Sequence, residues 1–253
     1  MFEFLFKKRE PLPLPYKREL HCHLIPGVDD GSPNVEESIS LLRSLQGFGV
    51  ERVIFTPHHT FPRFMNTPEI IQPIFDNLKK EAAAQGLTIQ CEDYSFEYRL
   101  DETFINLMQS GKFGEAQCQI RPLKDNYLLI ENSFSHPIPN LERLIERLLS
   151  DGYYLVMAHP ERYPYYFGHH GKFYHNLQEH QVEFQVNVLS FAGHYGDVPR
   201  KMARWMLEQG YVNFLGSDMH HQGYVKALDK FLRSKDYADI YEQLCECIGN
   251  DQI

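Results

Sequence analysis

Residues 127–159 read YLLIENSFSHPIPNLERLIERLLSDGYYLVMAH and predict a strand, a helix and a second strand. The runs YLLIE (residues 127–131) and YYLVMAH (residues 153–159) are short, apolar and typical of buried strands. Residues 141–149, between them, are helical in pattern. Because short apolar strands separated by a helix indicate parallel strands, this stretch predicts an α/β fold.

The same alternation continues on both sides of this unit. Further strands are predicted at residues 17–23, 52–57, 87–98, 182–187 and 212–217, and further helices at residues 34–46, 68–85, 199–209 and 227–248. Asn34 is a suitable N-cap for the first of these helices. A chain of 253 residues with seven such strands closes most naturally as a (β/α)7 barrel. Residues 160–175, crowded with Tyr, Phe and His, are predicted to be a long loop over a site.

Composition excludes several classes of protein. The hydrophobic fraction of 43% suits a sizeable core, and the net charge of −9 argues against binding of nucleic acid. No apolar run is long enough to span a bilayer, so direct membrane insertion is not expected. The five cysteines form no C-x-x-C pair, which favours reduced thiols in a cytoplasmic protein.

The N-terminal segment differs from the rest of the chain. Residues 1–18 combine an apolar start with the stiff run PLPLP, and we expect an extended strap leading into a single domain at residues 19–253. The apolar start, interrupted by Glu3, Lys7 and Lys8, does not resemble a signal peptide. It offers a contact for a partner or for a second copy in an oligomer.

Nearly every predicted strand ends in a candidate metal ligand. These residues are His21, His23, His58, Glu97, Glu131, His159, Asp218 and His220. In a barrel of parallel strands they would meet at one mouth, where the carboxyl ends of the strands gather. Residues two apart on a strand point the same way, so the pairs His21 with His23 and Asp218 with His220 could each grip one ion.

Two further residues extend this candidate site. Asp29-Asp30-Gly31, after the first strand, predicts either a simple turn or an additional acidic ligand, whereas His59 is expected to lie outside the ligand set. Arg162 follows His159 closely, and its planar guanidinium suits a phosphate. The alternative for Arg162 is a surface ion pair with Glu161. Tyr163, Tyr165, Tyr166 and Tyr195 are candidates either for a substrate lip or for packing within the loops.

Taken together in chain order, seven motifs resemble one known family. They are HCHLIPGVDDGSPNVEES, TPHH, FEYRLD, LLIE, AHPERY, QVNVLSFAGHYG and LGSDMH, spread over about residues 19–220. The chain resembles the polymerase and histidinol phosphatase (PHP) superfamily, and more closely the bacterial tyrosine-protein phosphatases of capsular and exopolysaccharide operons. The resemblance implies a distorted seven-stranded, TIM-like PHP barrel that holds two or three metal ions.

The resemblance also implies roles for individual residues. His21, His23 and Asp218 would bind one metal ion, Glu97 would bridge to a second completed by Glu131 and His159, and Asp30, His58 and His220 would hold a third. Arg162 would bind the phosphate. The family usually has an acidic residue, often Asp, where this chain has Glu19, and residues 114–125 form a longer segment than usual. Lys226 and Arg200 are candidates for a second basic phosphate ligand.

The implied reaction is hydrolysis of phosphotyrosine by a metal-bound hydroxide, with Arg162 offsetting charge on the phosphoryl oxygens. Manganese is the expected metal, and Fe, Zn or Mg also suit His and carboxylate ligands. The implied partner is a phosphotyrosine protein, such as the tail of a membrane-bound tyrosine autokinase. A cysteine phosphatase is excluded because no cysteine is followed six positions later by arginine.

Three alternatives remain at this point. A related enzyme could act on a small phosphoester such as histidinol phosphate or a sugar phosphate. A metal-dependent amidohydrolase also uses an H-x-H barrel, but commonly with a carboxylated lysine where this chain offers Glu97 and Glu131. A non-catalytic metal-binding or assembly module of an export system would not need Arg162.

Overall fold

The computed structural model describes residues 10–111, 114–115, 119–167 and 171–253, which form a mixed α/β protein. The predicted apolar runs at residues 52–57, 127–131, 153–159 and 212–217 each contain a strand. The strands are β1 (Arg18–Glu19), β2 (Arg52–Phe55), β3 (His58–Thr60), β4 (Phe64–Met65), β5 (Gln90–Tyr94), β6 (Glu97–Arg99), β7 (Tyr127–Glu131), β8 (Tyr154–Ala158), β9 (Val182–Asn187) and β10 (Phe214–Gly216).

Helices lie between most of the strands. They are α1 (Val35–Gly47), α2 (Pro68–Ala84), α3 (Glu102–Met108), α4 (Leu141–Ser150), α5 (Lys172–Glu179), α6 (Val188–Phe191), α7 (Asp197–Glu208), α8 (Gln222–Leu232), α9 (Lys235–Ala238) and α10 (Tyr241–Cys247). The Asn34 side chain caps α1 by accepting a hydrogen bond from the Glu37 N–H.

The strands form two sheets that are almost entirely parallel. The smaller sheet has the order β1-β2-β5, and the larger has the order β10-β9-β8-β7-β6-β3-β4. Only the pairing of β3 with β4 is antiparallel among the described strands. The predicted parallel α/β organisation is therefore confirmed, since helices connect most of the parallel neighbours.

A closed seven-stranded barrel is not confirmed, because the described strands divide between two sheets. The chain passes from the small sheet to the large one twice, from β2 to β3 and from β5 to β6. Pro57, at the first of these passages, has no N–H to continue the ladder. A register shift between Val53 and Ile54 further disturbs the pairing of β2 with β5.

Backbone contacts nevertheless connect the two sheets on both sides. On one side, Cys22 and Met219 form an isolated parallel bridge, and the Asp218 N–H donates to the His21 carbonyl at 2.9 Å. On the other side, the Glu97 N–H donates to the Pro57 carbonyl at 3.1 Å. These bonds hold the segments that carry the candidate ligands close together.

Asn250 also joins the sheets, and its replacement should destabilise the protein. Its buried side chain donates to the carbonyls of Arg18 and Leu215, at 3.1 and 2.7 Å, and accepts from the Leu215 N–H at 2.9 Å. We expect Asn250→Ala to lower the free energy of unfolding by about 2–4 kcal/mol in urea denaturation, because buried backbone groups lose their partners. The exposed Gln252→Ala is the matched control, and equal stability of the two variants would contradict this role.

The chain before β1 packs on the domain where it is described. The N–H groups of Leu12 and Leu14 donate to the carbonyls of Leu232 and Phe48, at 3.1 and 2.8 Å. Residues 1–9 of the predicted strap lie outside the described residues. Among the described helices, none is both long and apolar enough to cross a membrane.

The prediction of one long loop at residues 160–175 was wrong. Pro160–Arg162 and Pro164–Tyr166 form two short 3-10 helices, and α5 begins at Lys172. Tyr163 and Tyr174 are fully buried in this segment, so its aromatic side chains supply local core.

Candidate metal centre

All of the predicted ligands lie at one end of the two sheets. Glu131 closes β7 and His159 directly follows β8, whereas His58 and Glu97 open β3 and β6 and lie just beyond the carboxyl ends of β2 and β5. The residues brought together are His21, His23, Asp30, His58, Glu97, Glu131, His159, Asp218 and His220. Parallel strands explain the convergence, since their carboxyl ends share one edge.

Glu97 is the central carboxylate of the cluster, and it is fully buried. Its Oε1 lies 2.8 Å from His159 Nε2 and 3.4 Å from His21 Nε2. Its Oε2 lies 2.9 Å from His58 Nδ1 and 3.4 Å from His23 Nε2. Four imidazoles from three segments of the chain therefore surround the two oxygens of one carboxylate.

Asp218 is a second central carboxylate, and it shares His21 and His23 with Glu97. Its Oδ1 lies 3.5 Å from His21 Nε2 and 3.3 Å from His23 Nε2. Its Oδ2 accepts hydrogen bonds from Arg162 Nη1 and Asn187 Nδ2, each at 2.8 Å. One oxygen thus faces the histidines, and the other holds the arginine beside them.

Glu131 and Asp30 lie at the two outer parts of the cluster. The Glu131 carboxylate oxygens are 3.7 Å from His58 Nδ1 and 3.9 Å from His159 Nε2. Asp30 Oδ1 is 3.5 Å from His58 Nε2 and 3.7 Å from His220 Nε2. Asp30 is the most open of these carboxylates, at 44% side-chain exposure.

All of the predicted ligands except Asp30 fall into four groups, each of three residues with ligand atoms within 4.8 Å of one another. The groups are His21 with His23 and Asp218, His21 with Glu97 and His159, His58 with Glu97 and Glu131, and His23 with His58 and His220. Shared members link the groups into one continuous cluster, so the geometry offers several adjacent positions for a cation.

The donor set fits divalent cations. Nδ1 of His58 and Oε2 of Glu97 are buried without a hydrogen-bond partner, although they approach each other to 2.9 Å. Burial and the neighbouring Glu97 charge raise the pKa of Glu131 to about 8. A bound cation would satisfy the unpaired donors and would favour ionisation of Glu131 beside the Glu97 carboxylate.

Ion pairing with the neighbouring histidines favours the ionised forms of Glu97 and Asp218. Burial opposes the ionised forms of Glu97 and Asp218, but His21 and other nearby histidines hold the pKa of both carboxyls well below the usual range. His159 differs, because burial and the Arg162 charge lower its pKa to about 4. A neutral His159 keeps a lone pair for a metal ion at physiological pH.

Arg162 faces the cluster and not Glu161. Although burial disfavours its charge, the ion pair with Asp218 raises the pKa of the guanidinium above its ordinary value. Glu161 is fully buried and accepts hydrogen bonds from the Ser190 hydroxyl and the Asn187 N–H, so the surface ion pair considered above is wrong. Burial raises the pKa of Glu161 to about 7.

Several supporting residues were not predicted. Asp29 Oδ2 lies 2.8 Å from His23 Nδ1 and accepts from the His58 N–H at 3.0 Å. Gln185 Oε1 lies 2.5 Å from His21 Nδ1. Each contact fixes the ring nitrogen that faces away from the cluster, which orients the opposite nitrogen inward. A lone glutamine in the apolar run VEFQVN was the available signal for Gln185.

Glu19, at the position where the family usually has an acidic residue, also supports the cluster. The Glu19 side chain is fully buried and accepts hydrogen bonds from the N–H groups of His21 and Ser217, at 2.9 and 3.1 Å. It thereby connects the segment of His21 and His23 with the segment that leads to Asp218.

The remaining candidates lie at different distances from the cluster. His59 Nδ1 donates to the Asn66 carbonyl at 2.7 Å, and its ring packs on Phe96 and Tyr98, away from the ligands. Arg200 pairs with Asp236 on the surface. Lys226 is exposed. Among the tyrosine candidates, Tyr163 and Tyr166 are buried and Tyr165 is half-buried. The ring centroid of Tyr195 lies 4.1 Å from the Arg162 guanidinium.

The parallel sheets and their His and carboxylate cluster define an α/β protein with a candidate multi-metal site. The chain belongs to the CpsB/CapC family of capsular polysaccharide synthesis, whose family model matches residues 18–230.

Characterised relatives agree with this assignment. The chain is 28% identical over 204 residues to the tyrosine-protein phosphatase YwqE of Bacillus subtilis, covering 80% of this chain and 77% of YwqE. It is 24% identical over 260 residues to the tyrosine-protein phosphatase CpsB of Streptococcus agalactiae, covering 92% of each.

A solved structure also matches. It comes from work on YwqE of Bacillus subtilis and CpsB of Streptococcus pneumoniae, described as unique metal-dependent tyrosine phosphatases. The match has a TM-score of 0.71 and 26% identity, and it covers 92% of this chain and 95% of the other.

Proposed function

We propose that this chain is a metal-dependent protein-tyrosine phosphatase that acts in the regulation of capsular or exopolysaccharide synthesis. The observation that carries the proposal is the largely buried cluster of five histidines and four carboxylates beside Arg162, in a chain whose relatives are named tyrosine-protein phosphatases. A small-phosphoester phosphatase and an amidohydrolase are less favoured by these relatives.

The proposed metal ligands are the nine residues of the cluster, holding two or three divalent ions, with manganese preferred over Fe, Zn or Mg. Such ions supply a nucleophile from water near neutral pH and offset negative charge on the phosphoryl group. Glu97 would bridge two of these ions, a role supported by the different histidines that each of its oxygens faces. Asp218 holds His21 and His23 on one side and Arg162 on the other.

Arg162 binds and orients the phosphate in this proposal. Its guanidinium offers a planar array of donors that matches phosphate oxygens. The Asp218 carboxylate and the Tyr195 ring, 4.1 Å from the guanidinium, fix its position before substrate arrives. The tyrosine oxygen needs little assistance in leaving, because the parent phenol has a pKa of about 10.

The proposed substrate is a phosphotyrosine segment of another protein, such as the tail of a membrane-bound tyrosine autokinase, met in the cytoplasm. The cluster lies at an open end of the sheets, where Asp30 is 44% exposed and Phe134 is 42% exposed. A phosphorylated tail that the metal-loaded protein does not dephosphorylate would contradict this partner. Recovery of the protein outside the cytoplasmic fraction would contradict the location.

We also propose that the two sheets act as one distorted barrel within a single domain at residues 19–253, preceded by a strap at residues 1–18. The bridge between Cys22 and Met219 supports closure on one side, and the Glu97-to-Pro57 hydrogen bond supports it on the other. A single cooperative thermal transition is expected. Two separate transitions would contradict the single domain.

The function is tested by comparing a phosphotyrosine peptide with histidinol phosphate as substrates of the manganese-loaded protein. We expect the peptide to give the higher kcat/KM. Preference for histidinol phosphate would overturn the substrate and retain the metal site, and turnover of neither would overturn the phosphatase assignment.

Asp29→Ala should weaken metal binding without removing any proposed ligand. Asp29 orients His23 at 2.8 Å, and loss of such a partner typically lowers metal affinity by about 10–100-fold. The affinity for Mn²⁺ can be measured by competition with a chelating dye. Asp76→Ala, which changes an exposed carboxylate on α2, should have no effect, and equal affinities of the two variants would contradict the role of Asp29.

A further inference from the structure

Two phenylalanine rings flank the cluster. Phe64 stacks on His58 with ring centroids 5.7 Å apart and planes 10° apart. Phe134 stacks on His159 with centroids 5.5 Å apart and planes 22° apart. Because Glu97 contacts both histidines, at 2.9 and 2.8 Å, one phenyl ring lies on the His58 side of the buried carboxylate and the other on the His159 side.

These rings belong to an apolar rim around a strongly polar centre. Phe134 is 42% exposed, and Phe64 is half-buried at the start of β4. Exposed apolar side chains grouped beside a buried polar site mark a surface that a partner covers. Burial of this surface by an apolar group would be favourable.

Phe134 is firmly held despite its exposure. The Tyr165 hydroxyl donates to the Ser133 carbonyl at 2.7 Å, and the Asn132 N–H donates to the Tyr163 hydroxyl at 2.9 Å. The ring of Phe134 also contacts the Tyr163 ring, with centroids 5.5 Å apart. A ring fixed in advance loses little conformational entropy when a ligand covers it.

Arg162 connects this rim to the phosphate position. Its guanidinium lies 4.9 Å from the Phe134 ring centroid, on the side of the cluster where His159 stands. A phosphate held by Arg162 therefore has its ester substituent within reach of Phe134. An aromatic substituent suits this place, since rings pack favourably at centroid separations of about 4.5–7 Å.

We propose that Phe134 forms a subsite for the aromatic ring of the substrate and thereby determines the preference for aryl over alkyl phosphate groups. The proposal rests on the proposed phosphatase function and adds the residue that recognises its substrate class. Phe134 is a specificity-determining residue in this account, separate from the metal ligands and from Arg162.

The test compares binding of phenylphosphonate and methylphosphonate, which share a head group and are not hydrolysed, to the full manganese-loaded chain by calorimetry. Wild type should bind phenylphosphonate more tightly. Phe134→Ala should reduce that preference by about five- to tenfold, while affinity for methylphosphonate changes less than about twofold. Phe134→Leu should restore part of the preference because it keeps apolar volume, and Phe64→Ala should have a smaller effect.

Tyr154→Ala is the matched control. Tyr154 is a 54% exposed aromatic residue at the start of β8, at the opposite end of that strand from His159, and its loss should leave the preference unchanged. Equal weakening of both phosphonates in Phe134→Ala would mean that Phe134 only supports His159 and would overturn the proposal. Equal binding of both phosphonates by wild type would also overturn it.

Failure of the proposed function gives a different result. A wild-type chain that binds phenylphosphonate selectively, and loses this selectivity in Phe134→Ala, but does not hydrolyse a phosphotyrosine peptide would support the subsite and contradict the phosphatase. Hydrolysis of the peptide with an unchanged preference in Phe134→Ala would support the phosphatase and overturn the subsite.

Discussion

Glu97→Gln is expected to lower kcat for a phosphotyrosine peptide by about a thousandfold and to reduce the bound metal. Both Glu97 oxygens face imidazole nitrogens, at 2.8–3.4 Å, and glutamine offers only one neutral oxygen in the same volume. A metal centre contributes several kcal/mol to stabilising the transition state, which corresponds to this loss of rate. The measurements are steady-state kinetics and elemental analysis of the same sample.

The control for this prediction makes the same chemical change elsewhere. Glu183→Gln alters a half-buried carboxylate on β9, and its activity and metal content should match those of wild type. Retention of wild-type activity by Glu97→Gln would contradict the central position of this carboxylate. Circular dichroism of both variants separates loss of the metal centre from loss of the fold.

Arg162→Ala is expected to lower kcat by about 100–1,000-fold while most of the metal stays bound. The guanidinium offsets charge that develops on the phosphoryl oxygens, and loss of one such donor group has an effect of this size. Arg162→Lys should recover little activity, because an ammonium group lacks the planar pair of donors. Kinetics with the peptide, together with metal analysis, check both variants.

Arg200→Ala is the matched control for Arg162. Arg200 is paired with Asp236 on the surface, outside the cluster, and its loss should leave kcat unchanged. Full activity of Arg162→Ala would contradict the proposal that Arg162 binds the phosphate. Parallel loss of metal and activity would instead mean that Arg162 acts by holding Asp218, to which it donates at 2.8 Å.

The sequence was sufficient to predict which side chains converge, because parallel strands present their carboxyl ends at one edge. Glu131 closes a run of apolar residues, and His159 directly follows another, so their positions followed from strand boundaries alone. The N-cap of α1 at Asn34 also depends only on neighbouring residues, and this prediction is confirmed. Helix α3 and strand β4 were not predicted, since both are short elements with little periodicity of their own.

Contacts between distant segments were harder to predict. Gln185 and His21 are 164 residues apart, and only the sheet order brings them to 2.5 Å. Asp29 and Asp30 are adjacent acidic residues in one turn, and pattern alone does not tell which of them supports a histidine and which faces the open side of the cluster. The division into two sheets falls at the interrupted ladder near Pro57, which hydrophobic periodicity does not reveal.

The most direct test of the account follows phosphotyrosine hydrolysis while Mn²⁺ is titrated into metal-stripped protein. We expect almost no turnover without metal, and a rise that ends at two to three equivalents, because the linked donor groups offer several adjacent positions for an ion. Binding measured by calorimetry should saturate at the same ratio. Metal-stripped protein that hydrolyses the peptide at the full rate would contradict the central claim.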